Sequence, residues 1–105
     1  MIFEEFLSDV GYHILTAYDG DEGLIKLNSE SPPDLVMVDL KMPGTSGKMV
    51  IHKLRQNPLL YELPVIIVTG SEKNDVDFPP EGTYQDIIYK PFRLEEVLAK
   101  IKELI

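Results

Sequence analysis

Three short, continuous apolar runs restrict the possible folds of this chain more than any other feature, and each is followed by a polar residue. The runs are Leu35–Val38, Val65–Val68 and Ile87–Tyr89, and the residues that follow them are Asp39, Thr69 and Lys90. A strand with one face in water alternates apolar and polar residues, whereas an unbroken apolar run is typical of a strand covered on both faces. The runs therefore predict a mainly parallel sheet with helices packed on both sides.

The segments between these runs are predicted to be mostly helical, because their apolar residues recur at helical spacing. The predicted helices are an opening helix over Ile2–Val10, a second capped by Asp21, a third over Gly47–Gln56 and a C-terminal helix marked by Leu94, Val97, Leu98, Ile101 and Leu104. A short strand is predicted at His13–Ala17, and Ser71–Thr83 is the least regular stretch. Strands that alternate with helices through right-handed crossovers predict a doubly wound α/β fold.

Composition and charge argue against several classes of function. The 105 residues fit one domain, and 18 acidic residues against 10 basic ones give a net charge of -8, with no basic patch for nucleic acid. There is no cysteine for a disulfide, a zinc–thiolate site or a thiol nucleophile. No apolar run is long enough to span a membrane, and Met1–Glu5 carries acid where a signal peptide carries base. We therefore expect a cytoplasmic domain that binds neither nucleic acid nor membranes.

The three polar residues at the strand ends form the constellation that carries chemistry, because parallel strands bring their carboxyl ends to one edge of the sheet, where ligands bind. A carboxylate, a hydroxyl and an ammonium at that edge suit phosphoryl transfer. Asp39 can act as the nucleophile, while Lys90 neutralises one phosphoryl oxygen and Thr69 donates a hydrogen bond to another. Singly, each also has an ordinary interpretation as a turn former, a strand residue or a surface cation. Their occurrence at three successive strand ends favours function.

Four sequence segments resemble the signatures of a known family. They are GYHILTAYDGDEGLIKL at Gly11–Leu27, LVMVDLKMPGTSG at Leu35–Gly47, PVIIVTG at Pro64–Gly70 and YKPF at Tyr89–Phe92. Together they resemble the receiver domain of response regulators from bacterial two-component systems. The resemblance covers essentially the whole chain, in order, and the DLKMPG and KPF pieces are specific in combination.

The resemblance implies a flavodoxin-like fold with strand order 2-1-3-4-5 and assigns a role to each candidate site residue. Asp39 would be the phosphoacceptor, and Thr69 and Lys90 would contact the phosphoryl group. Mg²⁺ would be held by Asp39 and by the backbone carbonyl of Lys41. The Lys90–Pro91 peptide bond would be cis.

The chain departs from the family at its start, since the family begins with a hydrophobic strand followed by an acidic pair that holds the magnesium. This sequence begins within the first helix, and Glu4 and Glu5 are poor substitutes because they lie in that helix. The missing strand belongs at the sheet centre, where its loss would leave a gap of roughly twice the usual 4.8 Å spacing. We therefore expect residues 1–105 to be a single receiver domain, N-terminally incomplete, completed by a longer chain or a partner segment. Alone, it should bind magnesium weakly and accept little phosphate.

A second departure concerns signalling. The family often places an aromatic residue three positions before the lysine, and that switch position is Ile87 here. Pro79 and Pro80 also interrupt the fourth helix of the family. We therefore do not expect the coupling between Thr69 and an aromatic switch residue that is usual in the family.

The favoured function is a phosphoacceptor signalling domain that is not an enzyme. It would receive a phosphoryl group on Asp39 from a histidine kinase or histidine phosphotransfer protein and pass the signal to an output domain or partner protein; a dimer is compatible with this role. One alternative is a phosphorylation-incompetent pseudo-receiver that acts as a protein-binding module, suggested by the absent acids and by Ile87. Another is a haloacid-dehalogenase-type phosphatase, which needs a second Asp two positions after the nucleophile, where this chain has Lys41.

Overall fold

The computed structural model describes four stretches of the chain: residues 20–29, 34–40, 46–70 and 78–104. These stretches form the helices α1 (Gly20–Ser29), α2 (Gly47–Gln56) and α3 (Leu94–Leu104) and the strands β1 (Val36–Asp39), β2 (Val65–Thr69) and β3 (Asp86–Tyr89). The helix predicted over Ile2–Val10 and the strand predicted at His13–Ala17 lie outside the described residues. Among the described helices, none combines the length and the apolar character that crossing a membrane requires.

The three described strands form one parallel sheet in the order β1-β2-β3. Asp39 at the end of β1 is paired with Val68, and Thr69 at the end of β2 is paired with Tyr89 of β3. The carboxyl ends of the strands therefore lie together. This order corresponds to the last three positions of the predicted order 2-1-3-4-5. All five residues of β2 are buried, as its unbroken apolar run predicted.

Apolar residues pack on both faces of the sheet, because successive side chains of a strand point to opposite sides. The α2-side cluster consists of Val38, Leu40, Ile51, Leu54, Leu60, Leu63, Val65, Ile67 and Phe78. The α3-side cluster consists of Ile66, Val68, Ile88, Val97 and Ile101. Each such buried side chain contributes about 1.5–3 kcal/mol relative to exposure, so these two layers hold the sheet in place.

The ends of the helices follow from local chemistry. The Ser46 side-chain oxygen accepts a hydrogen bond from the Met49 backbone N–H at 3.2 Å, which caps α2 at the start that the sequence predicted. The helix ends before Asn57, whose N–H donates to the Leu54 carbonyl at 3.2 Å. The prediction that Asp21 caps α1 was wrong, because Asp21 lies inside the first turn of that helix. In that position its negative charge still interacts favourably with the helix dipole.

Arg55, in the last turn of α2, holds together the loops at the amino end of the sheet. Its guanidinium donates to the carbonyl oxygens of Thr83 (2.9 Å), Tyr61 (2.9 Å) and Leu63 (2.7 Å) and to the side-chain oxygen of Gln85 (3.2 Å). The same Gln85 oxygen accepts from the first N–H of β2 at 2.6 Å. Desolvation by burial lowers the pKa of Arg55, so these bonds compensate a partly buried charge.

Candidate functional site

An ion pair spans the carboxyl ends of the two outer described strands. The Nζ atom of Lys90, directly after β3, lies 2.7 Å from Oδ2 of Asp39, the last residue of β1. Because β2 lies between these strands, the two side chains reach across its end. Asp39 and Lys90 keep 36% and 47% of their side-chain surface exposed, so a ligand in solvent can reach both.

Thr69 ends the strand between these two residues and is fully buried. Its carbonyl oxygen accepts a hydrogen bond from the Lys90 backbone N–H at 2.9 Å, which continues the β2–β3 pairing by one residue. Thr69 and Lys90 are therefore fixed relative to each other through the backbone. We call Asp39, Thr69 and Lys90 the carboxyl edge; the structure brings these three sequence-predicted residues to one end of the sheet, as parallel strands require.

The remaining predicted positions are placed as follows. The Lys90–Pro91 peptide bond is cis, the geometry that the family resemblance implied. Ile87 is half-buried in β3 and packs against the α2-side cluster. Lys41, whose carbonyl was predicted to bind Mg²⁺, lies outside the described residues.

Asp39 offers a carboxylate at this edge, which is one of the hard oxygen ligands that Mg²⁺ prefers. Its exposure makes that carboxylate reachable from solvent. Within the described stretches, no three or more His, Asp or Glu side chains are grouped so that they could hold a metal ion.

The sequence placed Gly47 at the start of a helix and at the end of the family-like segment Leu35–Gly47, but it did not predict the contact of Gly47 with the site. A Cβ atom built on Gly47 would lie 2.6 Å from the Asp39 carbonyl oxygen, 2.8 Å from Leu40 Cα and 3.0 Å from Val38 Cγ1. The first residue of α2 therefore packs directly on the backbone that carries Asp39. A glycine eight positions after a strand-end aspartate was the available signal, but its meaning depends on a backbone approach that sequence alone does not display.

Comparisons with known proteins agree with this architecture. Residues 1–102 match the family described as the response regulator receiver domain. A CheY-like receiver domain protein from Methanospirillum hungatei is 30% identical, with a TM-score of 0.83 over 97% of this chain and 80% of that one. The receiver domain of a signal transduction histidine kinase from Syntrophus aciditrophicus is 29% identical, with a TM-score of 0.87 over 98% of this chain and 78% of that one.

A third structure carries ligands. The response regulator TrrA from Thermotoga maritima, solved in complex with Mg²⁺ and BeF, is 30% identical, with a TM-score of 0.83 over 99% of this chain and 87% of that one. Together the matches confirm the predicted resemblance and the flavodoxin-like α/β fold class.

Proposed function

Since the chain belongs to the response regulator receiver domain family, we propose that it accepts a phosphoryl group on Asp39 within a two-component phosphorelay. The observation that carries the proposal is the carboxyl edge itself. A reachable carboxylate lies 2.7 Å from an ammonium at the end of a parallel sheet, with Thr69 on the strand between them. This arrangement supports the proposal, because a nucleophile and a positive charge would both face an incoming phosphoryl group.

In the proposed reaction, a carboxylate oxygen of Asp39 attacks the phosphorus atom of a phosphohistidine. The new P–O bond forms as the P–N bond breaks, and the histidine nitrogen leaves with its electron pair. The product is an acyl phosphate on Asp39. Lys90 neutralises charge on a phosphoryl oxygen, and the Thr69 hydroxyl donates a hydrogen bond to another.

Magnesium is the metal ion that we propose for this site. When bound, it supplies positive charge to the phosphoryl oxygens, and TrrA was solved with Mg²⁺ and BeF. The Asp39 carboxylate and the backbone carbonyl of Lys41 would hold it, because both are hard oxygen donors.

The proposed partners are a histidine kinase or histidine phosphotransfer protein as donor and an output domain or partner protein as receiver of the signal. The domain would accept one phosphoryl group per molecule as a signalling element rather than act as an enzyme on external substrates, in the cytoplasm. The acyl phosphate would act on β3 and α3 through Lys90, the first residue of the segment that connects them.

The test is phosphorylation by acetyl phosphate in the presence of Mg²⁺, read by intact mass. It should be run on the 105 residues and on the same chain extended at Met1 with the first strand and acidic pair of a receiver relative. We expect a mass gain of one phosphoryl group, in a larger fraction of the molecules for the extended form. Asp39→Asn should show no gain.

The matched control is Asp86→Asn. Asp86 also bonds a lysine, at 3.0 Å, but lies at the start of β3 rather than at the carboxyl edge, so this variant should still be phosphorylated. No mass gain in either form of the protein would contradict the proposal and favour a phosphorylation-incompetent binding module. Turnover of a generic phosphate ester, which we do not expect, would instead support a phosphatase.

A further inference from the structure

Gly47 is the point at which α2 meets the end of β1, and the contact leaves no room for a side chain. The Cβ position has two backbone neighbours closer than 3.0 Å, the Asp39 carbonyl oxygen and Leu40 Cα. Real Cβ atoms do not approach backbone so closely, so any larger residue at position 47 must displace one of the two chain segments. Helix propensity alone would favour alanine over glycine at position 47. The close contact with β1 favours glycine, so the two effects oppose each other.

The strand side of this contact is also the side that carries the chemistry. Asp39 is held in the ladder opposite Val68, and Leu40 is 5% exposed within the α2-side cluster. On the helix side, α2 is held by the Ser46 cap and by its own buried residues Val50, Ile51 and Leu54. Both segments are fixed, so a displacement by a methyl group has to be shared between them, and Asp39 moves with its backbone.

Gly70, a second glycine at the carboxyl end of a described strand, is in the opposite situation. Gly70 directly follows Thr69, is exposed, and a Cβ built on it meets nothing within 4 Å. The same substitution at Gly70 therefore adds a methyl group without moving the backbone. The two glycines form a matched pair that separates crowding at Asp39 from the general effect of replacing a glycine near the site.

We propose that Gly47 is a positioning residue for phosphoryl transfer: its missing side chain lets α2 seat against β1 so that the Asp39 carboxylate meets Lys90 and the phosphoryl donor. This inference rests on the proposed function of Asp39. Misplacing a reacting group by about 1 Å can cost on the order of 100-fold in rate. Gly47→Ala should therefore lower the rate of phosphorylation far more than its effect on folding would explain.

The experiment compares Gly47→Ala with Gly70→Ala in whichever form of the chain accepts a phosphoryl group. Rates are measured over a range of acetyl phosphate concentrations, with the folded fraction followed by urea unfolding. We expect Gly47→Ala to lower the rate at saturating donor by about 10- to 100-fold with the half-saturating concentration little changed. Gly70→Ala should stay within about twofold of wild type.

A third variant, Ile101→Ala, removes core packing on the α3 side and serves as a destabilised control that should keep its rate while folded. If Gly47→Ala is unfolded in buffer, all variants are compared in trimethylamine N-oxide, which favours the folded state. Equal rates for Gly47→Ala and Gly70→Ala would overturn the proposal. So would a Gly47→Ala chain that folds under neither condition, since Gly47 would then serve folding alone.

A second readout does not depend on phosphorylation. In ¹H–¹⁵N spectra, Gly47→Ala should move the backbone signals of Asp39, Leu40 and Lys90, and Gly70→Ala should leave the first two in place. If wild type gains no phosphoryl group, the proposed function and the role of Gly47 in phosphoryl transfer both fail, and these signals then test only whether Gly47 positions the Asp39 backbone. Unmoved Asp39 and Leu40 signals would overturn its positioning role, whereas moved signals would support it.

Discussion

An aspartate–lysine pair lies at each end of the sheet, and the two pairs join different elements. At the carboxyl edge, Lys90 reaches across the end of β2 to Asp39 at 2.7 Å. At the amino end of β3, Lys100 of α3 donates to both oxygens of Asp86, at 3.0 Å each. Asp86 Oδ1 also accepts from the Ile87 N–H at 2.8 Å. The second pair therefore fastens a helix to a strand, whereas the first joins the ends of two strands.

The difference shows that a short Asp–Lys distance does not by itself identify a reactive site. The Lys100 and Asp86 side chains are 24% and 29% exposed, less than the 47% and 36% of Lys90 and Asp39. The Asp86 oxygens are used to bind a helix and the backbone of its own strand. The carboxyl edge combines greater access with the end of a parallel sheet where ligands bind.

The amino end is held further by the Arg55 cluster, defined as Arg55 with its four hydrogen-bond partners. Those partners come from the loop after α2 and from the segment that leads into β3. One end of the sheet is thus a fixed frame, and the other presents side chains to solvent. Positions at the two ends should respond differently to the same substitution.

The largest expected difference between the two ends is in how far replacing the lysine lowers the phosphorylation rate. Lys90→Met removes the charge beside Asp39 and should lower the phosphorylation rate by about 10²- to 10³-fold, because an aimed positive charge is lost. Its effect on the free energy of unfolding should stay below about 0.5 kcal/mol, since the pair is exposed.

Lys100→Met, the matched change at the amino end, should leave the phosphorylation rate within about twofold of wild type. Acetyl phosphate kinetics and urea unfolding of both variants measure these quantities. Similar rate losses in the two variants would mean that the ends are not functionally distinct.

Arg55→Met should have the next largest effect, and on stability rather than on the reaction. The variant keeps an apolar stem but leaves two part-buried carbonyl oxygens, those of Thr83 and Leu63, without their donor, which should cost about 2–4 kcal/mol of unfolding free energy. Lys53→Met, on an exposed position of the same helical turn, should change it by less than about 0.5 kcal/mol. Equal urea midpoints for the two variants would show that the Arg55 cluster does not stabilise the amino end.

These two ends also differ in how well the sequence predicted them. The unbroken apolar runs predicted β1, β2 and β3, and the residues that follow the runs predicted the carboxyl edge, because parallel pairing determines where strand ends lie. The bounds of α2 were predicted correctly from the helical spacing of its apolar residues. In each case the information is carried by side-chain pattern along a single segment.

The Arg55 cluster could not be predicted in the same way. Its acceptors are mainly backbone carbonyl oxygens, 6, 8 and 28 residues away in sequence, and every residue type carries such an oxygen. No pattern of side chains therefore marks the partners. The crowding at Gly47 was missed for a related reason, because it depends on how closely two backbones approach.

The smallest expected effect is the difference in coupling energy between the two Asp–Lys pairs. In a double-mutant cycle with Asp86→Asn and Lys100→Met, we expect about 0.5–1 kcal/mol, because Lys100 bonds both carboxylate oxygens and both side chains are part-buried. The Asp39→Asn and Lys90→Met cycle should give a coupling energy below about 0.3 kcal/mol, because the pair is more exposed and Lys90 bonds Asp39 through Oδ2, at 2.7 Å. Urea unfolding at low and high salt measures both cycles. Added salt should lower the Asp86–Lys100 coupling energy by a smaller fraction than the Asp39–Lys90 coupling energy, since burial limits screening. A larger coupling for Asp39 and Lys90 would mean that the carboxyl edge stabilises the fold as strongly as the amino end does. The contrast between a fixed end and an accessible end would then not hold.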